Sequence, residues 1–246
     1  TTYSADPAFS TSGGSGTGSV TYSVVSGGTA TSCSLSSSAA NATLTSLSSG
    51  SCLIAATMAA DTNYLAAISS NLTFTFAKKS QAITFATLSS KVFGSGTFTI
   101  SATSDAGLTP TFTSGTSSTC TISGTTVTLV AAGTCTINAD QIGDTYYAAA
   151  TQLQRSFTIS LGTQATLNIA ATSSSAAFNG SLYTANPAFS TSGGSGTGAV
   201  TYAIVTGGTA TCTLSSSAAD ATLSATGSGT CYIAATKAAD SNYNSA

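Results

Sequence analysis

Six cysteines are the residues best able to do covalent chemistry in this chain, and they fall into three local pairs: Cys33 with Cys52, Cys120 with Cys135, and Cys212 with Cys231. Zinc is one use for such thiols, but it wants close C-x-x-C spacing and usually His. This chain has neither. The lack of His also removes Ser-His and Cys-His nucleophile systems. A Ser-Lys pair would have to use one of four lysines, with no local motif around any of them. The natural reading is three disulfides, one inside each of three repeated segments, in an oxidising compartment. Closing loops of this length stabilises a small domain by about 3 kcal/mol in the chain-entropy model.

The carboxylates come next. All seven acidic residues are Asp, and one recurs in a fixed place, as Asp-x-x-Tyr after the second cysteine of each pair: Asp61 to Tyr64, Asp144 to Tyr147 and Asp240 to Tyr243. A short Asp side chain can close a turn on its own backbone, and a Tyr close behind can lay its ring over the end of a sandwich. A catalytic or metal-binding group is not expected in every repeat, whereas a corner that every domain needs is. A structural turn is therefore expected at all three, with no catalytic residue, metal or cofactor. Calcium at domain junctions, through Asp6, Asp61 or Asp144, is the competing use, but calcium sites usually collect several carboxylates. Asp140 and Asp144 flank a turn and do not face each other across a cleft as glycosidase carboxylates do. The Gly13-Gly-Ser-Gly-Thr-Gly18 loop leads into the strand VTYSVV, not a helix, and no Lys follows, so it reads as a hairpin and not a phosphate cradle. Asn41, Asn71 and Asn179 match the N-glycan acceptor pattern.

The elements that must position these residues are strands. Strict apolar/polar alternation marks a half-buried strand, and Thr125-Thr126-Val127-Thr128-Leu129 shows it between Cys120 and Cys135. The middle segment reads as seven short strands: Ile83 to Phe85, Phe98 to Ala102, TPTFTS, STCTIS, TVTLVAAG, GTCTINA and RSFTIS. That is the pattern of an immunoglobulin-like sandwich. Its expected core is Phe85, Phe98, Ile100, Phe112, Ile122, Leu129, Ile137, Phe157 and Ile159. The Ala-rich pieces at 55–60 and 234–239 are too short for stable helices.

Around this segment lie two close copies of one another. YSADPAFSTSGGSGTG from Tyr3 returns at Tyr183 as YTANPAFSTSGGSGTG, and AATMAADTNY returns as AATKAADSNY. The expected organisation is all-β: tandem immunoglobulin-like β-sandwich domains at 1–78, 79–160 and 161–246, strung through short linkers at 78–80 and 161–163 as an extended rod. The early strand 165–170 has no counterpart before Tyr3, and Asn71 to Phe76 has none after Ala246. The first domain is thus expected to lack its first strand and the third its last. Either the chain is a window on a longer array or neighbouring molecules supply the strands. A chain opening on Thr1 without a leader is expected to be processed or cut from something longer.

GGSGTGAVTY (193–202), AATKAADSNYN (234–244) and STCTISGTTVTLVAAGTCTI resemble the bacterial immunoglobulin-like tandem repeats of large cell-surface and secreted, adhesin-like proteins. The resemblance implies a spacer, stalk or filament-forming segment outside the cell, with further copies of the same repeats as partners. It names no ligand. Charged residues make up only 5% of the chain and the net charge is -2, so no nucleic-acid partner is expected. No apolar run is long enough for membrane insertion as a helix. The alternative is a glycan- or receptor-binding adhesin module, stacking sugars on exposed rings such as Tyr22, Tyr202 or Tyr232.

Overall fold

The computed structural model describes residues 2–171, 175, 183–185 and 187–246, with the backbone alone at 183–185. Every regular element among them is a β-strand. The candidate glycan acceptor at Asn179 lies outside the described residues. By contact the chain forms two compact units, Thr1–Thr84 with Ala102–Pro110 and Asp140–Leu153, and Phe85–Ser101 with Thr111–Ala139 and Gln154–Ala246. Each of the two short linkers lies inside one unit, and the second repeat contributes to both.

In the first unit, one sheet runs Tyr3–Ala5, Leu44–Ser46, Ser34–Leu35. The other pairs Val20–Val25 with Gly50–Met58, whose far edge takes Ala67–Ile68 and Leu72–Phe76. Alternation turns Tyr22 inward and Thr21 and Ser23 outward. The core gathers Phe9, Tyr22, Leu44, Cys52, Ile54 and Phe76 from both sheets. Leu44 and Ile54 are fully buried, worth about 1.5–3 kcal/mol each relative to exposure. Ala55 and Ala56, in the Ala-rich piece, are buried strand residues.

In the second unit, the middle repeat builds a sandwich from Phe98–Thr99, Thr126–Leu129, Cys120–Ser123 on one side and Thr111–Ser114, Gly133–Asp140, Leu153–Ser160, Lys91–Val92 on the other. Phe98 meets Phe157 edge-on across it at 5.5 Å. The third repeat pairs Val200–Val205 with Tyr232–Lys237 and Tyr183–Ala185 with Leu223–Ala225 and Cys212–Leu214. Its leading strand, Leu167–Ala170, pairs antiparallel with Ser190–Gly193.

The expected strand from Phe98 to Ala102 is two strands. Phe98–Thr99 pairs with Thr126–Leu129, while Ala102–Ser104 joins Ile83–Phe85, because the chain bends there to change sheets, as sandwich edges do. Lys91–Val92, parallel to Ile159–Ser160, went unforeseen, since two residues carry no alternation to read. Of the expected core, Phe85, Ile100, Ile137, Phe157 and Ile159 are buried, but Phe98, Phe112, Ile122 and Leu129 only half so. Val127, two residues before Leu129 on the same face and nearer the middle of the sheet, is fully buried instead.

Candidate functional site

The structure joins Cys33 to Cys52, Cys120 to Cys135 and Cys212 to Cys231, at Cα separations of 5.9, 5.7 and 6.0 Å. In each sandwich one cysteine starts or just precedes a strand of one sheet, and its partner starts or lies in a strand of the other. Each bond therefore ties the two sheets of one repeat together.

All three Asp residues close their own turns. Asp61 Oδ1 accepts the backbone N–H groups of Asn63 and Tyr64 at 2.8 and 2.9 Å. Asp144 Oδ1 does the same with Tyr146 and Tyr147, both at 2.8 Å, and Asp240 Oδ1 with Asn242 and Tyr243, both at 2.8 Å. In the first and third repeats the second carboxylate oxygen does more. Asp61 Oδ2 accepts the N–H of Thr17 at 2.6 Å and its hydroxyl at 3.2 Å. Asp240 Oδ2 takes the N–H and hydroxyl of Thr197 in the same way. The Gly-rich loop is thus clasped to the turn. Gly16 and Gly196 sit beside these carboxylates, where a Cβ would collide with Oδ2. That accounts for the glycines without any phosphate.

Hydrogen bonds to a carboxylate favour its ionised form. Those from Thr197 N–H, then Asn242 and Tyr243, hold Asp240 down at about 2, from 3.8. Donation from Asn63 first, then Thr17, lowers Asp61 too. A depressed folded value means the turn's contribution is complete above the unfolded value near 3.8 and is lost as pH falls through the folded one. Between pH 4 and pH 2, then, the wild-type chain is expected to lose denaturant resistance. The double variant Asp61→Asn, Asp240→Asn should start weaker and show a shallower slope across that window. Equal slopes in urea titrations at several pH values would count against the clasp.

Two of the turns, at Asp144 and Asp240, are also addresses for the preceding linker. Lys79 bridges Tyr147 in parallel, its N–H donating to Tyr146 O at 2.8 Å while its carbonyl accepts from Ala148 N–H at 2.8 Å. Gly162 bridges Tyr243 likewise, donating to Asn242 O at 2.8 Å and accepting from Asn244 N–H at 2.9 Å. Two residues on, each linker buries a glutamine. Gln81 Nε2 donates to Ala148 O at 2.8 Å, and Gln164 Nε2 donates to Asn244 O at 2.7 Å, each to the residue just past the Tyr. Their amide oxygens accept from the Ser104 hydroxyl at 2.7 Å and the Gly196 N–H at 3.3 Å. Buried amides need this satisfaction. Sequence reasoning missed both glutamines. The signal was present, as Lys79-Ser-Gln-Ala82 and Gly162-Thr-Gln-Ala165, but it is short and straddles a linker.

Rings complete both joints. The Tyr3 hydroxyl donates to Thr145 O at 2.9 Å and its ring lies 5.7 Å from that of Tyr146. Lys78 Nζ donates to Asp144 O. In the second unit Tyr243 meets Phe93 of the preceding repeat edge-on at 5.3 Å, and Ala132 N–H donates to Asn242 Oδ1 at 2.9 Å. The Tyr243 ring therefore packs on the neighbouring repeat and does not merely cover its own sandwich end.

The tyrosines expected to present themselves to sugars do not do so as a set. Tyr22 and Tyr202 are buried and stacked on Phe9 and Phe189, each at 5.2 Å, because inward alternation places them in the core. Tyr232 is 52% exposed. It borders a shallow groove of about 240 Å³ with Ile204, Val205 and the Cys212–Cys231 bond. Among the described residues no three His, Cys, Asp or Glu side chains converge as metal ligands. At Asp61 both carboxylate oxygens are already engaged with backbone and hydroxyl donors.

No family model and no curated protein matches the chain. Among solved structures it is similar to protocadherin gamma B2 extracellular cadherin domains 3-6, at 12% identity and a TM-score of 0.33, over 92% of this chain and 66% of that one. It is also similar to the protocadherin gammaB4 extracellular domain, at 12% and 0.31, over 92% and 43%. A third likeness is to domains 4-9 of the surface layer protein SbsC, at 15% and 0.24, over 92% and 38%. The chain spans less than two thirds of the length of these proteins. Its function is accordingly read from its own residues, which describe an all-β chain of disulfide-stapled sandwiches joined at aspartate turns.

Proposed function

We propose that this chain is a structural segment of an extracellular or cell-surface protein of the bacterial tandem-repeat type, a stalk or filament element whose work is done at the joints between repeats. One observation carries the reading: the same joint is built twice, a linker bridged to the next repeat's Asp turn and locked by a buried Gln, at Lys79–Gln81 and again at Gly162–Gln164. A binding module has no need to repeat its connections so closely, whereas a spacer depends on them. The absence of free cysteines among the described residues supports an oxidising surrounding.

The test is linker cleavage. Gln81→Ala leaves the Ala148 carbonyl and the Ser104 hydroxyl without their partner, a loss of about 1–3 kcal/mol. Trypsin should then cut after Lys78 and Lys79 about tenfold faster or more, while the far-ultraviolet circular dichroism stays that of the parent. Unchanged cleavage would show that the glutamine does not hold the joint and would remove the support for this function.

A further inference from the structure

The chain contains three Asp turns, and linkers occupy two of them. The third, Asp61–Tyr64, is built to the same plan. It clasps Thr17 as Asp240 clasps Thr197. Yet Tyr64, the counterpart of Tyr243, is 51% exposed, and Asn63, the counterpart of Asn242, is exposed as well. The bare region continues beyond the turn. In the third repeat Ser190–Gly193 is a strand because Leu167–Ala170 pairs with it. The identical sequence Ser10 to Gly13 is exposed and lies in no strand.

Glycine geometry shows what this region is shaped for. Gly193 holds a φ of 82°, and a Cβ there would collide with the carbonyl oxygen of Thr166 on the pairing segment. Gly13 holds a φ of 81°, and nothing lies within 4 Å of where its Cβ would stand. A non-glycine residue would be disfavoured by that φ, so the first repeat keeps the conformation that in the third permits the close approach.

We infer that Asp61–Tyr64 and the Ser10 to Gly13 edge together form an acceptor for a linker and leading strand of the kind at residues 161–170, taken up in extended form by β-augmentation. The occupant has the chemistry of residues 161–170: a small residue bridging the turn, Gln two positions later, then a strand. By analogy with Gln164, that amide would donate to Ala59 O and Leu65 O, the counterparts of Ala238 O and Asn244 O, and accept from Gly16 N–H. Met58 stands where the third repeat has Lys237, so the incoming segment meets an apolar flank there. This inference rests on the joint reading above.

The experiment uses the whole chain and a capped synthetic peptide, LGTQATLNIA, the sequence of residues 161–170. The expected result is one-to-one binding by calorimetry, with new amide protection by hydrogen exchange confined to residues 10–13 and 63–65. A peptide with Ala for Gln should bind about tenfold more weakly, as a lost buried hydrogen bond implies. Gly13→Ala in the protein should abolish binding by blocking the approach. Because alanine is disfavoured at the φ of 81°, the free variant is first checked by hydrogen exchange to keep the parent's pattern at residues 10–18 and 61–65. Absence of binding at millimolar peptide, protection elsewhere, or equal binding by the Ala peptide would overturn the proposal. Those outcomes leave the trypsin result at Lys78–Lys79 untouched, so the two readings can fail separately.

Discussion

Replacing Cys120 and Cys135 together by Ala is expected to destabilise the second repeat by about 3 kcal/mol, because the bond closes a loop of sequence separation 15 in the unfolded chain. Both residues are completely buried. Alanine is the right replacement, since serine would add two hydroxyls to the interior and mix a desolvation cost with the loss of the cross-link. Net stabilities of single domains are only about 5–15 kcal/mol, so a large fraction would vanish. Denaturant titration followed through Tyr fluorescence should show an earlier transition, and reducing agent should shift the parent chain toward the variant. A variant as resistant as the parent would mean that packing of Val127 and Ile137 holds this sandwich unaided.

The second large effect separates two positions whose local sequences are near-identical. Ile54 and Ile233 occupy the same place in near-identical copies, yet Ile54 is fully buried and Ile233 only half so. The difference comes from the neighbouring edge. Ile54 faces Leu72 at the end of a strand pairing that runs to Gly50 and Phe76. Tyr232–Lys237, among the described residues, pairs with Val200–Val205 as its one strand neighbour. Ile54→Ala should therefore cost about 2–5 kcal/mol, the range for truncating a buried large aliphatic, and Ile233→Ala about half as much. Equal shifts in the two unfolding midpoints would mean that the covering strand adds little to burial at Ile54.

What could be read from the sequence follows from how local its cause is. Alternation is a property of consecutive residues, so the strands around Val127 and Ile137 and the inward faces of Cys120 and Cys135 were visible. The Asp turns were visible too, because a carboxylate reaching its own backbone two and three residues on is a local event. Tyr22 and Tyr202, which only the glycan-binding alternative needed to be exposed, are buried, as their place in the alternation already indicated. The joints were hidden for a different reason. Gln81 and Gln164 are held by carbonyls 67 and 80 residues away, and no short-range pattern announces such a partner. The unequal burial of Ile54 and Ile233 was legible only in part: Asn71 to Phe76 finds no counterpart in the third repeat's sequence, but that this strand lies beside Ile54 is set by pairing and not by the residue's own neighbours.

The position of the disulfides has one more consequence, which concerns tension. Each bond bridges the two sheets of a repeat within a single chain, so a pull along the backbone bypasses the residues between the paired cysteines through the sulfurs. At roughly 3.5 Å of contour per residue, the length enclosed in three such loops is withheld from any stretching of the oxidised molecule, even after its sheets have parted. Reduction would release it. The longest extension that this segment can reach before covalent failure is therefore set by its redox state as well as by its residue count.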